Sequence, residues 1–192
     1  MMTIVQIGAG RGNDHVSTLY KDGMDLYLVE ANEMHINALE AMYPKAAVIH
    51  RAIVPNRSHG DSITMFYSID DAPGYEVTSV YRSHITKHGL SDDSIRSFDV
   101  PVMTLSELLD IIHKRIDILF IDIEGLDEEV LYATDLSRYD IANIQIEMIH
   151  IKDVNALIAY MASQGYRITN SSFDRNGYDR IFEKVQQPTT KQ

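Results

Sequence analysis

The chain has 192 residues, 45% of them hydrophobic and 23% charged, which is enough to bury one core and short for two. A formal net charge of -11 argues against general affinity for nucleic acid or an anionic membrane, because both need clustered Lys and Arg. Cysteine is absent, which excludes a disulfide framework and a thiolate metal centre, and no stretch resembles a signal peptide or a membrane span, so the expected location is cytoplasmic.

With no linker, repeat or low-complexity tract, the composition predicts a single domain over residues 1–186 and a disordered tail at 187–192. Residues 3–8 read as a strand, 14–22 as a helix, 26–30 ("LYLVE") as a strand and 33–43 as a helix with Met34, Leu39 and Met42 on one side. "AAVIHRAIV" reads as a third strand, and residues 63–67 as a short extra one. Pro73-Gly74 marks a turn, and 75–97 is too polar to assign. "DVPVMT" is extended, and "TLSELLDIIHK" is a helix capped by Thr104 with Glu107 three residues on. "IDILFIDIE" is a buried strand, followed by a helix at 127–135, a strand at 141–148 and a helix at 153–164. The last pair, 166–170 and 180–185, leaves no room for a crossover helix and must be antiparallel.

Strands alternating with helices predict an α/β fold with parallel strands and helices on both faces. Seven main strands with an antiparallel last strand resemble the Rossmann-like sheet of class I methyltransferases. The loop "IGAGRGND" carries Gly8, Gly10 and Gly12, so it reads G-x-G-x-G where a nicotinamide-binding loop has G-x-G-x-x-G. A plain tight turn is the alternative. Glu30, ending the second strand, is an acceptor-only group that can take both hydroxyls of a ribose, or else it is an ordinary carboxylate at a helix start.

These residues, with "LVEANEMHINAL", "VPVMTLSELL" and above all "IDILFIDIEGLDEEVL", resemble the FkbM-type S-adenosylmethionine-dependent methyltransferases from about Ile4 to Val185. The long motif is similar to the family's I-D-V-E-G-x-E-x-E-V-L, with Asp127 and Glu129 at the later acidic positions. Gln6 stands where many class I enzymes carry an acidic residue, and Phe120 where the family commonly has a lysine. The resemblance implies S-adenosyl-L-methionine as cofactor, held by Gln6, Gly8, Ala9, Gly10 and Gly12 of the loop, by Glu30 and Ala31, and by Asp122. By the same analogy the adenine is expected beside Arg51, Ala52 and Ile53, with Asp61 nearby.

Methyl transfer from a sulfonium is an in-line displacement, so catalysis consists of alignment and removal of the acceptor's proton. Asp122 and Glu124 after the fourth strand, and Glu147 and His150 after the fifth, are the expected catalytic residues, with Glu124 or Glu147 as base. Glu124, Asp127 and Glu128 could instead serve only the N-terminal end of the next helix. Three carboxylates at one rim need relief from a cation, a proton or a charged His150. No metal site is assigned: His84 and His88 have a chelating spacing if helical, but no third ligand is evident nearby, and with His59 they read as a histidine-rich cover. Because the sequence opens on its first strand, residues 70–97, or the same region of a second subunit, are expected to close over the site through Tyr75, Tyr81 or His84. The acceptor expected is a hydroxyl of a small molecule or carbohydrate, with no nucleic acid or membrane partner. A catalytically degenerate binding protein and a nucleotide-linked oxidoreductase are the other two readings.

Overall fold

A computed structural model describes residues 1–58, 60–173 and 177–185. The expectations for His59 and for the C-terminal tail lie outside the described residues. Strand β1 (Thr3–Ile7) is buried along its whole length, as a central parallel strand covered on both faces must be. It lies between β2 (Asp25–Glu30) and β7 (Ile118–Ile121), parallel to both. The full sheet has seven strands in the order β3-β2-β1-β7-β8-β10-β9, where β3 is Ala47–His50, β8 Asn143–Glu147, β9 Tyr166–Ile168 and β10 Asp179–Lys184. Only β10 runs against its neighbours. This is the class I methyltransferase sheet, with β7 and β8 adjacent and parallel.

Alternation along the strands divides the core. Val5, Ile7, Leu119 and Ile121 face one layer, which holds α3 (Leu105–Ile112), α4 (Asp127–Tyr132) and α5 (Val154–Ser163). Ile4, Leu28 and Phe120 face the other layer, which contains Leu39 of α1 (Glu33–Met42). Helix α3 has the predicted capping box between Thr104 and Glu107. In α1 the inward residues are His35 and Leu39, an i, i+4 pair, while Met34 and Met42 are exposed, so the predicted apolar side of this helix was misplaced.

Three further expectations change. The predicted helix at 14–22 is only a 3₁₀ turn, His15–Thr18, with no side-chain cap, and the chain soon turns again at Gly23. "AAVIHRAIV" is two strands, β3 and β4 (Ala52–Val54), parted at Arg51. Apolar, β-prone residues on both sides of His50-Arg51 hide this break, because no glycine or proline marks it. A second sheet, β4-β6-β5, takes in β4, the extra strand β5 (Ser62–Ser68) and the long β6 (Ile95–Thr104). The unassigned segment between β5 and β6 contains a short helix, α2 (Arg82–Lys87). No helix among the described residues is long and apolar enough to cross a membrane.

Candidate active site

The chain leaves β1 through Gly8, whose φ of +76° suits glycine and whose added Cβ would lie 1.7 Å from the Asp122 carbonyl oxygen. The β1 loop is therefore pressed against the end of β7. The Gly8 and Ala9 amides donate to the Val29 carbonyl at 3.0 and 3.1 Å, fixing the turn to β2. The Gly10 amide donates to Glu30 Oε2 and the Asn32 amide to Oε1, each at 2.7 Å. Glu30 is 6% exposed. Burial raises its pKa to about 7, against the pull of those backbone amides.

A cavity of about 300 Å³ opens between these loops, in the size range of small-ligand sites. It is lined by Gly8, Gly10, Glu30 and Ala31, by the apolar Ala52, Ile53 and Met65 with Arg51, and by Asp122 and Glu124, whereas Glu147 and His150, expected as catalytic residues, are not among its lining residues. Asp61 is not among its lining residues. Gln6, Ala9 and Gly12, expected at the cofactor, also lie away from the lining. Gln6 is on the face opposite Val5 and Ile7; its amide donates to Asp14 Oδ1 at 3.1 Å and accepts from the Val16 amide at 3.4 Å, which braces the loop from behind. Ala9 is packed in the core beside α1, and a Cβ on Gly12 would meet Leu39 and Tyr43, each at 2.8 Å. Of the three glycines, the first admits the close approach of β7 and the last admits helix packing, while Gly8 and Gly10 both line the cavity.

Asp122 Oδ2 stands 3.3 Å from His15 Nε2, while Asp122 Oδ1 is buried with no hydrogen-bond partner among the described residues. His15 stacks on Phe120 at 5.2 Å, and its Nδ1 lies 3.7 Å from Asp179, which accepts from Gln145 at 2.6 Å. Sequence reasoning missed His15 and Asp179. His15 immediately follows the glycine loop, a position that could have drawn notice, but nothing local connects it to a residue on the last strand.

The other end of the site is built from side chains. Glu124 has φ +56°, an uncommon conformation for a non-glycine residue. Asp127 holds it there by folding back, accepting from the Ile123 amide at 3.0 Å and the Gly125 amide at 3.1 Å. The Ser79 hydroxyl donates to the Glu124 carbonyl at 2.7 Å, and the Tyr81 ring packs against Gly125. Asp127 is thus a loop-shaping residue, while Glu128 and Glu129 bond to the Lys152 amide and ammonium. Glu124 Oε2 receives His84 Nε2 at 2.7 Å and has His150 Nε2 at 3.5 Å; that same nitrogen is 3.3 Å from Glu147. Burial first, and the charge of Asp122 second, raise Glu124 and Glu147 each to about 8. Burial lowers the pKa of His84, His88 and His150. Tyr75, Glu76, Thr78 and Val80 of the segment between β5 and β6 line the cavity directly. No third ligand for His84 and His88 is evident nearby in the sequence, but the fold brings His150 and Glu124 to them.

No protein of curated function matches this chain in sequence. Among solved structures, the human methyltransferase 10 domain containing protein is similar over 97% of this chain and 73% of its own, at 11% identity and a TM-score of 0.51. A TehB-like SAM-dependent methyltransferase from Corynebacterium glutamicum covers 95% and 80% at 13% identity and 0.46. A precorrin-6y C5,15-methyltransferase from Geobacter metallireducens covers 96% and 80% at 12% identity and 0.49. At such identities the likeness concerns the fold. Residues 6–168 match the methyltransferase FkbM domain, and the chain belongs to that family of S-adenosylmethionine-dependent methyltransferases.

Proposed function

We propose that this chain transfers a methyl group from S-adenosyl-L-methionine to a hydroxyl oxygen of a small molecule or sugar. The observation that carries the reading is one cavity lined both by Glu30, beside the glycine loop, and by the carboxylates of Asp122 and Glu124. The residues present fit the donor. Each oxygen of Glu30 accepts one backbone N–H and keeps lone-pair capacity for a ribose hydroxyl. Asp122 Oδ1, buried and unpartnered, is suited to an ammonium such as that of the methionyl group. The tight Gly8 turn leaves backbone rather than side chain against that part of the cavity.

When bound, the donor supplies an electrophilic methyl carbon on a sulfonium. The chain's residues have to direct the acceptor oxygen at that carbon and remove its proton as the new O–C bond forms. Glu124, which lines the cavity, and Glu147, which His150 links to it from outside the lining, are the bases this reading assigns, with Asp122 positioning both ligands. A base is needed for a hydroxyl and not for an acceptor that is already ionised, which favours an alcohol or phenol. The acidic rim and the net charge of -11 also disfavour nucleic acid as acceptor.

Calorimetry with S-adenosylmethionine, S-adenosylhomocysteine and NAD tests the donor half of this reading: the two sulfur ligands should bind and NAD should not. Incubation with a panel of hydroxyl compounds then tests turnover. Donor binding with no methylated product across that panel would support a binding protein in place of an enzyme.

A further inference from the structure

We infer that His84, His88, His150 and Glu124 bind a single divalent transition-metal ion of the zinc type beside the acceptor end of the cavity. Each offers one ligand atom, and these four atoms lie within 4.8 Å of one another. They come from three separate segments: His84 in α2 and His88 at its cap, Glu124 in the kink after β7, and His150 three residues beyond Glu147 at the end of β8. The ring centroids of His84 lie 4.7 Å from those of His88 and 4.6 Å from those of His150, and the third pair is 5.8 Å apart.

A hydrogen-bond network explains only part of this arrangement. Glu124 Oε2 is close to His84 and His150, but His88 packs against two other imidazoles with no side-chain hydrogen bond among the described residues, and such rings repel when protonated. One cation attracts all four. In a tetrahedral zinc site with bonds of about 2.0–2.1 Å, ligand atoms stand roughly 3.3 Å apart. Closing from within 4.8 Å to that spacing is a matter of side-chain rotation. Three imidazoles and one carboxylate select zinc or a neighbouring transition ion over magnesium or calcium, which take oxygen ligands. His88 is exposed, so the ion can enter from solvent.

The ion's place in catalysis rests on the methyl-transfer reading, while its binding does not. Glu124 both ligates and lines the cavity, so an acceptor hydroxyl reaching the donor can add to the metal as a further ligand. Coordination makes that hydroxyl more acidic. Its proton goes to Glu147, its oxygen forms the bond to the methyl carbon, and the carbon–sulfur bond breaks.

The test is metal binding by the whole chain, stripped with a chelator and dialysed. Zinc is titrated in competition with a chromophoric chelator, and cobalt is added separately to read coordination from its visible spectrum. One zinc per chain and a four-coordinate cobalt spectrum are expected. His84→Ala and His150→Ala should each weaken zinc by at least about 100-fold, more than losing a group merely bonded to a ligand costs. His88→Ala, at an exposed position, should weaken it too and guards against loss of folding in the other variants. His113→Asn, on the surface at the end of α3, should bind as the parent does. Zinc binding that is absent, or equally tight in His88→Ala and the parent, overturns the site. Affinity for S-adenosylhomocysteine is measured on the same samples: zinc bound without it would leave the metal site standing and remove the methyl-transfer reading.

Discussion

The two ends of the cavity are made by different means. At the end proposed for the donor, backbone amides of Gly10 and Asn32 hold Glu30, and the backbone of Gly8 lies against that of Asp122. At the end proposed for the acceptor, side chains outside the lining hold one that is in it: His84 and His150 meet Glu124, and His150 also meets Glu147. Backbone-built sites follow from the strand order and tolerate little change. Sites built from side chains can be altered residue by residue on the same scaffold.

The largest test of this contrast is Gly8→Val. The new Cβ would collide with the Asp122 carbonyl at a left-handed φ, so the harm falls on the joint between β1 and β7 before it reaches any ligand space. A loss of roughly 3–5 kcal/mol in denaturant unfolding is expected from the strain and overpacking together. A variant as stable as the parent would mean the donor end is more yielding than its geometry indicates.

Glu147→Gln probes the opposite end. Turnover on a true acceptor should fall by about 10²–10⁴-fold, the range for loss of a general base, with donor affinity unchanged. If donor affinity falls in step, the ends do not act separately.

Glu30→Ala is the converse, expected to weaken S-adenosylhomocysteine by about 1.5–3 kcal/mol, the scale of hydrogen bonds to a charged group. pH sharpens this experiment. Because burial raises Glu30 to about 7, the folded protein holds this proton more tightly than the unfolded chain, and Glu30's contribution to stability declines as pH rises from the ordinary carboxylate range to about 7. Ribose hydroxyls donate to the ionised form, so donor affinity should climb over that same window and level above it. Glu30→Gln should flatten the climb, and a persisting climb would assign it to another group.

The smallest effect is expected from Ser79→Ala. It removes the hydroxyl that ties the Glu124 carbonyl to the segment between β5 and β6, at a cost of roughly 1 kcal/mol in stability. Turnover should drop modestly and donor affinity should hold. A change confined to donor affinity would place Ser79 on the wrong side of the comparison.

The same contrast explains what the sequence disclosed. Strand β1, its glycine loop and Glu30 lie within 30 residues, and their meaning rests on local periodicity and on glycine at a strand end. The buried strand at "IDILFIDIE" and the antiparallel return were legible for similar reasons. The cluster of His84, His88, Glu124 and His150 was not, since its members meet only after β7 and β8 have been set side by side. Asp127 was legible as part of a motif, yet its bonds back to Ile123 and Gly125 were invisible in the pattern. Gln6 drew attention by its type, while the pleat set it opposite Ile7, which lines the cavity.

One consequence concerns the segment at 69–94. Its two ends are joined, because Ser68 pairs with Ile95 across β5 and β6 and the Ser68 and Ser94 hydroxyls meet at 2.6 Å. None of its residues supplies a strand of the seven-stranded sheet. A loop closed at its base can lengthen at little entropic cost, each doubling adding only about 0.6 kcal/mol. This excursion, which carries Tyr75, His84 and His88, is therefore an exchangeable cassette: a graft between Ser68 and Ile95 can reshape the cavity wall it supplies while the seven-stranded chassis keeps its register.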